Sequence, residues 1–196
     1  MTTRGRLTAY ARTLDGLSAN PNDTDRRAAY LDVIAPVETP SRAAEMARCS
    51  GCALVARGIL RRFIEHPILA AQYRDTHAMS DLVEIARGAG AVHGPDRTPE
   101  PGDLVIVGGG ADGGGPEHVY MVLDVQPDPY DDGGWLVTGL DGGQRDAGGC
   151  QLVIQRDHII GHGRDRGTRA NDPGGGSTRL VRFVLDTGAI LDRFGR

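Results

Sequence analysis

An α+β fold, with helices first and a meandering antiparallel sheet after them, is predicted by three features of this sequence. From Thr3 to Gly90 the apolar residues recur mainly at three- and four-residue intervals, the period of a helix with one buried face. Beyond Pro101 they gather into short continuous runs bounded by glycine, the pattern of buried strands. The links between successive runs are rich in Gly and Asp-Gly, which suits hairpins and antiparallel pairing.

The elements follow in order. Leu7, Tyr10, Ala11, Leu14 and Leu17 make one face of a helix over residues 3–17, and Asp23 or Thr24 caps a second that Pro36 stops. Ser41, after Pro40, caps a short turn leading into Cys49. The next helix carries Cys52, Val55, Ile59 and Phe63 on its buried side, turns Arg57, Arg61 and Arg62 to water, and ends before Pro67. An interrupted helical region runs from Ile68 to about Ala89. Strands are expected at Leu104–Val107, His118–Val125, Trp135–Leu140, Gln151–Gln155 and Arg179–Leu185. One domain is expected over residues 1–196. It comprises an N-terminal helical extension (1–40), a motif-bearing core (41–160), a flexible loop (161–178) and closing strands (179–196).

Composition excludes several classes. No apolar run reaches the roughly 20 residues of a membrane helix, and the basic N-terminus lacks the apolar core of a secretory signal. The expectation is a chain that is cytoplasmic as synthesised, with any export left to a dedicated secretion system. A net charge of −4 and basic residues spread along the chain argue against nucleic acid as a partner. All 22 basic residues are arginine. Three cysteines cannot all pair, which argues against a disulfide scaffold.

The chemistry is sought around Cys49. A thiol at the mouth of a buried helix meets unpaired backbone N–H groups and the positive end of the helix dipole, which favour the thiolate. Such a nucleophile needs a base. Of the six histidines, His118 opens a buried strand directly after a glycine-rich link, where a rigid element holds it within reach of a cleft. Asp141 follows the next strand, so neighbouring strand ends can join imidazole and carboxylate.

Cys49-Ser50-Gly51 opening a helix, then Pro101-Gly102-Asp103-Leu104-Val105, then His118-Val119-Tyr120-Met121-Val122 resembles the ordered motifs of the NlpC-type cysteine peptidases, relatives of the CHAP amidases. The resemblance covers residues 41–160 and implies a papain-like fold. It implies Cys49 as nucleophile, His118 as general base and a third polar residue near Asp141, with Gln144 as the competitor. It further implies hydrolysis of peptide or amide bonds, foremost in cell-wall peptides, with no cofactor or metal. Without a signal, a natural setting is an antibacterial toxin exported by a specialised apparatus and held by an immunity protein. Two departures stand out: Arg48 replaces the usual acidic or amide residue before the cysteine, and Asp141 stands where histidine is common.

Other readings stay open. Cys52 falls on the apolar side of its helix and reads as core, and Cys150 as structural. Cys49-x-x-Cys52 also fits a redox or metal pair, with Cys150 and His158 or His162 as further ligands. Asp141 in Asp-Gly-Gly also fits plain turn chemistry. Asp128, Asp131 and Asp132 read as a solvated hairpin turn rather than calcium ligands. The glycine-rich stretch from Gly108 to Gly115 precedes a strand rather than a helix, which argues against a phosphate cradle. A cytoplasmic amidase or acyltransferase, and a non-catalytic binding module, are the alternative functions.

Overall fold

A computed structural model of the chain describes residues 1–34, 51–71, 78–108, 116–130, 132–146, 149–167 and 178–196. The helices among the described residues begin with α1 Thr3–Arg12, α2 Thr24–Ile34, α3 Cys52–Arg61, α4 Pro67–Ala70 and α5 Ala78–Gly88. The strands are β1 Val92–His93, β2 Leu104–Gly108, β3 Pro116–Pro127, β4 Trp135–Asp146, β5 Gly149–Gly161, β6 Arg164–Gly167 and β7 Thr178–Leu185, and α6 Thr187–Phe194 follows.

The sheet does not stay open. Strands β2 to β6 pair antiparallel in succession, and β7 pairs with both β2 and β6, closing a six-stranded antiparallel barrel with β1 added outside on β7. This corrects the expected α+β papain-like arrangement of N-terminal helices packed on an open meandering sheet. The physical reason is edge pairing: an open meander would leave the N–H and C=O groups of β2 and β6 unpaired, and β7 satisfies both. Register shifts at Val107/Gly108, Ile106/Val107, Val122/Asp124, Val137/Gly139 and Asp141/Gln144 supply the local bends that closure needs. Two boundaries move as well. Residues Arg164–Gly167, expected in a loop, form β6, and the expected closing strands of 179–196 are one strand followed by α6.

Alternation along the strands makes two cores. Val105, Val107, Tyr120, Val122, Val137, Ile160, Val181 and Val184 form one cluster inside the barrel. Their neighbours Leu104, Ile106, Val119, Met121, Leu123, Leu140 and Leu185 point the other way, into the cluster shared with the helices. Six strands leave a narrow bore, and β-branched valines fill it without long rotamers.

Helix α3 is the hub of the outer core, buried along its length from Cys52 to Leu60. At Gly58 a Cβ would lie 2.0 Å from the Val33 carbonyl oxygen, so only glycine lets α2 cross this closely. Burial extends to Arg57, which sequence periodicity turns to water. Its Nη2 donates to the Ile68 carbonyl at 2.7 Å and its Nη1 lies 3.7 Å from the Asp81 carboxylate, so the charge is met inside.

The Pro101-Gly102-Asp103 turn ties the N-terminus to the barrel. Gly102 sits at φ +98°, a region that favours glycine, and its amide donates to the Val122 carbonyl at 2.7 Å. Asp103 is wholly buried, accepting from Arg4 Nη2, from the Glu100 amide at 2.9 Å and from the Thr187 amide at 3.3 Å. A motif quoted for its resemblance to a peptidase thus serves as a clasp joining α1, β2 and α6.

Candidate active site

The polar groups of the barrel gather on the inward faces of β3, β4, β5 and β6. His118 shares its face of β3 with Tyr120 and Val122, and Tyr120 stands opposite Asp141 on β4. Val137 stands opposite His158 on β5, and Ile160 opposite Asp165 on β6. Alternation therefore aims His118, Asp141, His158 and Asp165 into one space.

Their contacts form a chain. His118 Nε2 lies 2.6 Å from Asp141 Oδ1, His158 Nε2 lies 3.1 Å from Asp141 Oδ2, and His158 Nδ1 lies 2.9 Å from Asp165 Oδ2. Ionised carboxylates only accept, so the imidazole nitrogens donate in each bond. Both nitrogens of His158 then carry protons, which makes that ring an imidazolium. Burial opposes its charge, but the bonds to Asp141 and Asp165 outweigh burial and raise its pKa to about 10. Asp141 is pushed the other way: burial would raise its pKa, and the bonds from His118 and His158 bring it well below the usual carboxylate range.

The thiol that completes the chain is Cys52. Burial also opposes charge on His118, yet its hydrogen bonds to Asp141 and to Cys52, with their charges, raise its pKa to about 9. Because Nε2 faces Asp141, Nδ1 is the nitrogen left for Cys52. Cys52 takes no part in a disulfide and is 6% exposed. It holds the first position of α3, after Gly51, which caps the helix without a side chain, and no acidic residue occupies the first turn. The amides of that turn have no intrahelical acceptor, so they and the helix dipole favour an anion at the sulfur.

Two glycines make room for this arrangement. A Cβ at Gly142 would lie 3.1 Å from the Cys52 Cα and 3.1 Å from the Gly51 carbonyl oxygen, so β4 passes directly over the start of α3, one residue from Asp141. At Gly139 a Cβ would lie 2.8 Å from Tyr120 Cδ2 and 3.3 Å from His158 Cδ2. The space it leaves holds the Tyr120 and His158 rings stacked with centroids 3.9 Å apart and planes 12° from parallel. The Tyr120 hydroxyl and Asp165 Oδ1 are shut from solvent without a well-shaped hydrogen bond among the described residues. Burial first, and then the charges of Asp165 and Asp141, hold the Tyr120 proton far above its ordinary range.

No family model, curated protein or solved structure matches this chain.

Of the residues expected from sequence, His118 and Asp141 are brought together. Cys49 and Arg48 lie outside the described residues, as do His77 and most of the glycine-rich stretch after Gly108. The Gln144 and Cys150 side chains also lie outside them. Asp128 belongs to a hairpin turn, its carboxylate accepting from the Tyr130 amide at 2.9 Å. His66 accepts from the Ile68 amide and His93 sits beside Arg97, both away from the barrel's polar chain. Among the described residues no three His, Cys, Asp or Glu side chains converge as metal ligands would. No helix among them is long and apolar enough to cross a membrane.

Sequence reasoning did not place Cys52, His158 and Asp165 beside His118 and Asp141. Cys52 was legible as a member of an apolar face, and Cys52 and His158 otherwise only as candidates for a redox or metal pair. His158 shares a strand face with Ile160, a signal lost once the strand is ended at Gln155. Asp165 lies in Arg164-Asp165-Arg166-Gly167, which has no apolar alternation to mark it as a strand.

Proposed function

We propose that the chain is a thiol-dependent hydrolase of peptide or amide bonds, with Cys52 as nucleophile, His118 as general acid and base, and Asp141 as the group that orients His118. The observation that carries this reading is the Cys52–His118–Asp141 contact: a thiol at a helix start, hydrogen-bonded to an imidazole whose other nitrogen is held at 2.6 Å by a buried carboxylate. In such a pair the imidazolium and thiolate stabilise each other. The thiolate attacks the carbonyl carbon, and the amides at the start of α3 donate to the developing oxyanion. His118 gives its proton to the leaving nitrogen as the C–N bond breaks. Water then attacks the thioester, His118 takes its proton, and the acid leaves as Cys52 is released.

Cell-wall peptides are the first substrate class to try, on the motif resemblance carried by His118-Val119-Tyr120-Met121-Val122. Cleavage of them would favour an exported toxin with an immunity partner, and cleavage of small amides alone a cytoplasmic amidase or acyltransferase. The low exposure of Cys52 favours one other reading, a binding module whose buried thiol is inert. Release of peptides from peptidoglycan fragments, followed by mass spectrometry, separates these. Cys52→Ser and His118→Ala are expected to abolish release, and Cys49→Ser to leave most of it. Full activity in Cys52→Ser with loss in Cys49→Ser would overturn the assignment of the nucleophile.

A further inference from the structure

We infer that His158 and Asp165 form a second dyad that positions Asp141 and balances its charge, so that His118 can both hold and release a proton. The inference rests on the reading of Cys52 and His118 as nucleophile and base, and gives roles to two buried residues that this reading leaves unused.

Geometry carries it. Asp141 engages one imidazole with each oxygen, His118 with Oδ1 and His158 with Oδ2, so its carboxylate cannot rotate without losing a bond. His158 is itself fixed three ways, by Asp141 on Nε2, by Asp165 on Nδ1 and by the Tyr120 ring against its face. Among the described residues, the titratable groups facing His118 and His158 are Cys52 on α3, Tyr120 on β3, Asp141 on β4 and Asp165 on β6. With thiolate and imidazolium formed, charge alternates along Cys52, His118, Asp141, His158 and Asp165.

Alternation has a chemical use. A lone buried carboxylate against His118 would hold its proton tightly and hinder transfer to a leaving nitrogen. The His158 cation on the far oxygen draws off part of that attraction, and Asp165 keeps the cation charged in a dry interior. His158 and Asp165 act through Asp141 and are positioning residues.

The test is an NMR titration of ring-labelled histidines in the full chain, comparing wild type, His158→Gln and Asp165→Asn. The amide introduced by His158→Gln can still donate to Asp141 but carries no charge, so the His118 pKa is expected to rise by about one unit or more, tenfold in proton affinity. Asp165→Asn keeps the stacked ring and lowers the His158 pKa. The His118 signals are then expected to respond at the His158 midpoint. A purely structural role for the dyad would lower the melting temperature and leave the His118 titration where it was, and that result in both variants would overturn the inference. The titration needs no substrate. A coupled His118 beside an unreactive Cys52 would refute the hydrolase reading while upholding the dyad, and an uncoupled His118 beside a reactive Cys52 would do the reverse.

Discussion

Two aspartates in this protein are equally hidden from water, Asp103 at 0% and Asp141 at 1% exposure, yet their carboxyls are pushed in opposite directions. Asp103 faces a guanidinium and two backbone amides, and burial, the largest influence, still raises its pKa to about 6. Asp141 faces two imidazoles, whose bonds outweigh burial and lower it. The partners also differ in kind. Arginine does not give up its proton, so the Arg4–Asp103 pair can only hold α1 to the barrel. An imidazole can give up its proton where a guanidinium does not, so the same burial around Asp141 builds a path along which charge can move. Burial by itself does not mark a functional carboxylate; the titratable partners do.

The sharpest way to break this comparison is to disable each aspartate in turn. Asp141→Asn puts one N–H where both imidazoles need an acceptor, and the rate of Cys52 alkylation per folded molecule at neutral pH should fall roughly 100-fold or more. Asp103→Ala should cost about 3 kcal/mol in urea unfolding, because Arg4, the half-buried Glu100 amide and the buried Thr187 amide lose an acceptor. Its Cys52 should still react at the wild-type rate. Loss of Cys52 reactivity in folded Asp103→Ala would show the two sites to be one coupled unit. A smaller effect is expected from Gly139→Ala, whose methyl group would press on Tyr120 and His158. Overpacking of this kind costs about 1–3 kcal/mol, and Cys52 alkylation should slow as the rings part, though less than in Asp141→Asn. Unchanged melting and unchanged alkylation would mean that the stack plays no part in the site.

The sequence was legible where a signal is local. Runs such as Leu104–Val107 and His118–Val125 declare strands because β-branched residues lie between glycines, and these runs led to His118 and Asp141. Both nevertheless stand within their strands, Asp141 in the middle of β4 rather than after its end. Closure of the barrel was not legible, because it depends on β6 in a polar stretch, Arg164-Asp165-Arg166-Gly167, whose pairing with β5 and β7 is decided by distant strands. The open papain-like sheet followed from that omission. The reading of Cys52 as core holds, for it is buried in the outer cluster, but burial is only part of its surroundings. Its spacing with Val55 and Ile59 does place it on a buried face, but that face meets the barrel at Gly142, beside Asp141, so the side that looks like core is also the side that reaches the base. Periodicity reports burial and says nothing of what lies across the interface.

The central claim is that Cys52 and His118 form an activated pair. Its most direct test is the pH dependence of iodoacetamide labelling, resolved for Cys52 and Cys49 by peptide mass spectrometry, in wild type and His118→Ala. With the His118 pKa raised to about 9, the imidazolium is present throughout the neutral range and should sustain the thiolate there. The account predicts fast labelling of Cys52 already at about pH 6 in wild type, and in His118→Ala a slow rise with the ordinary thiol midpoint of about 8.5. Slow labelling of Cys52 in both proteins, or a His118-dependent reactivity found at Cys49 instead, would contradict it.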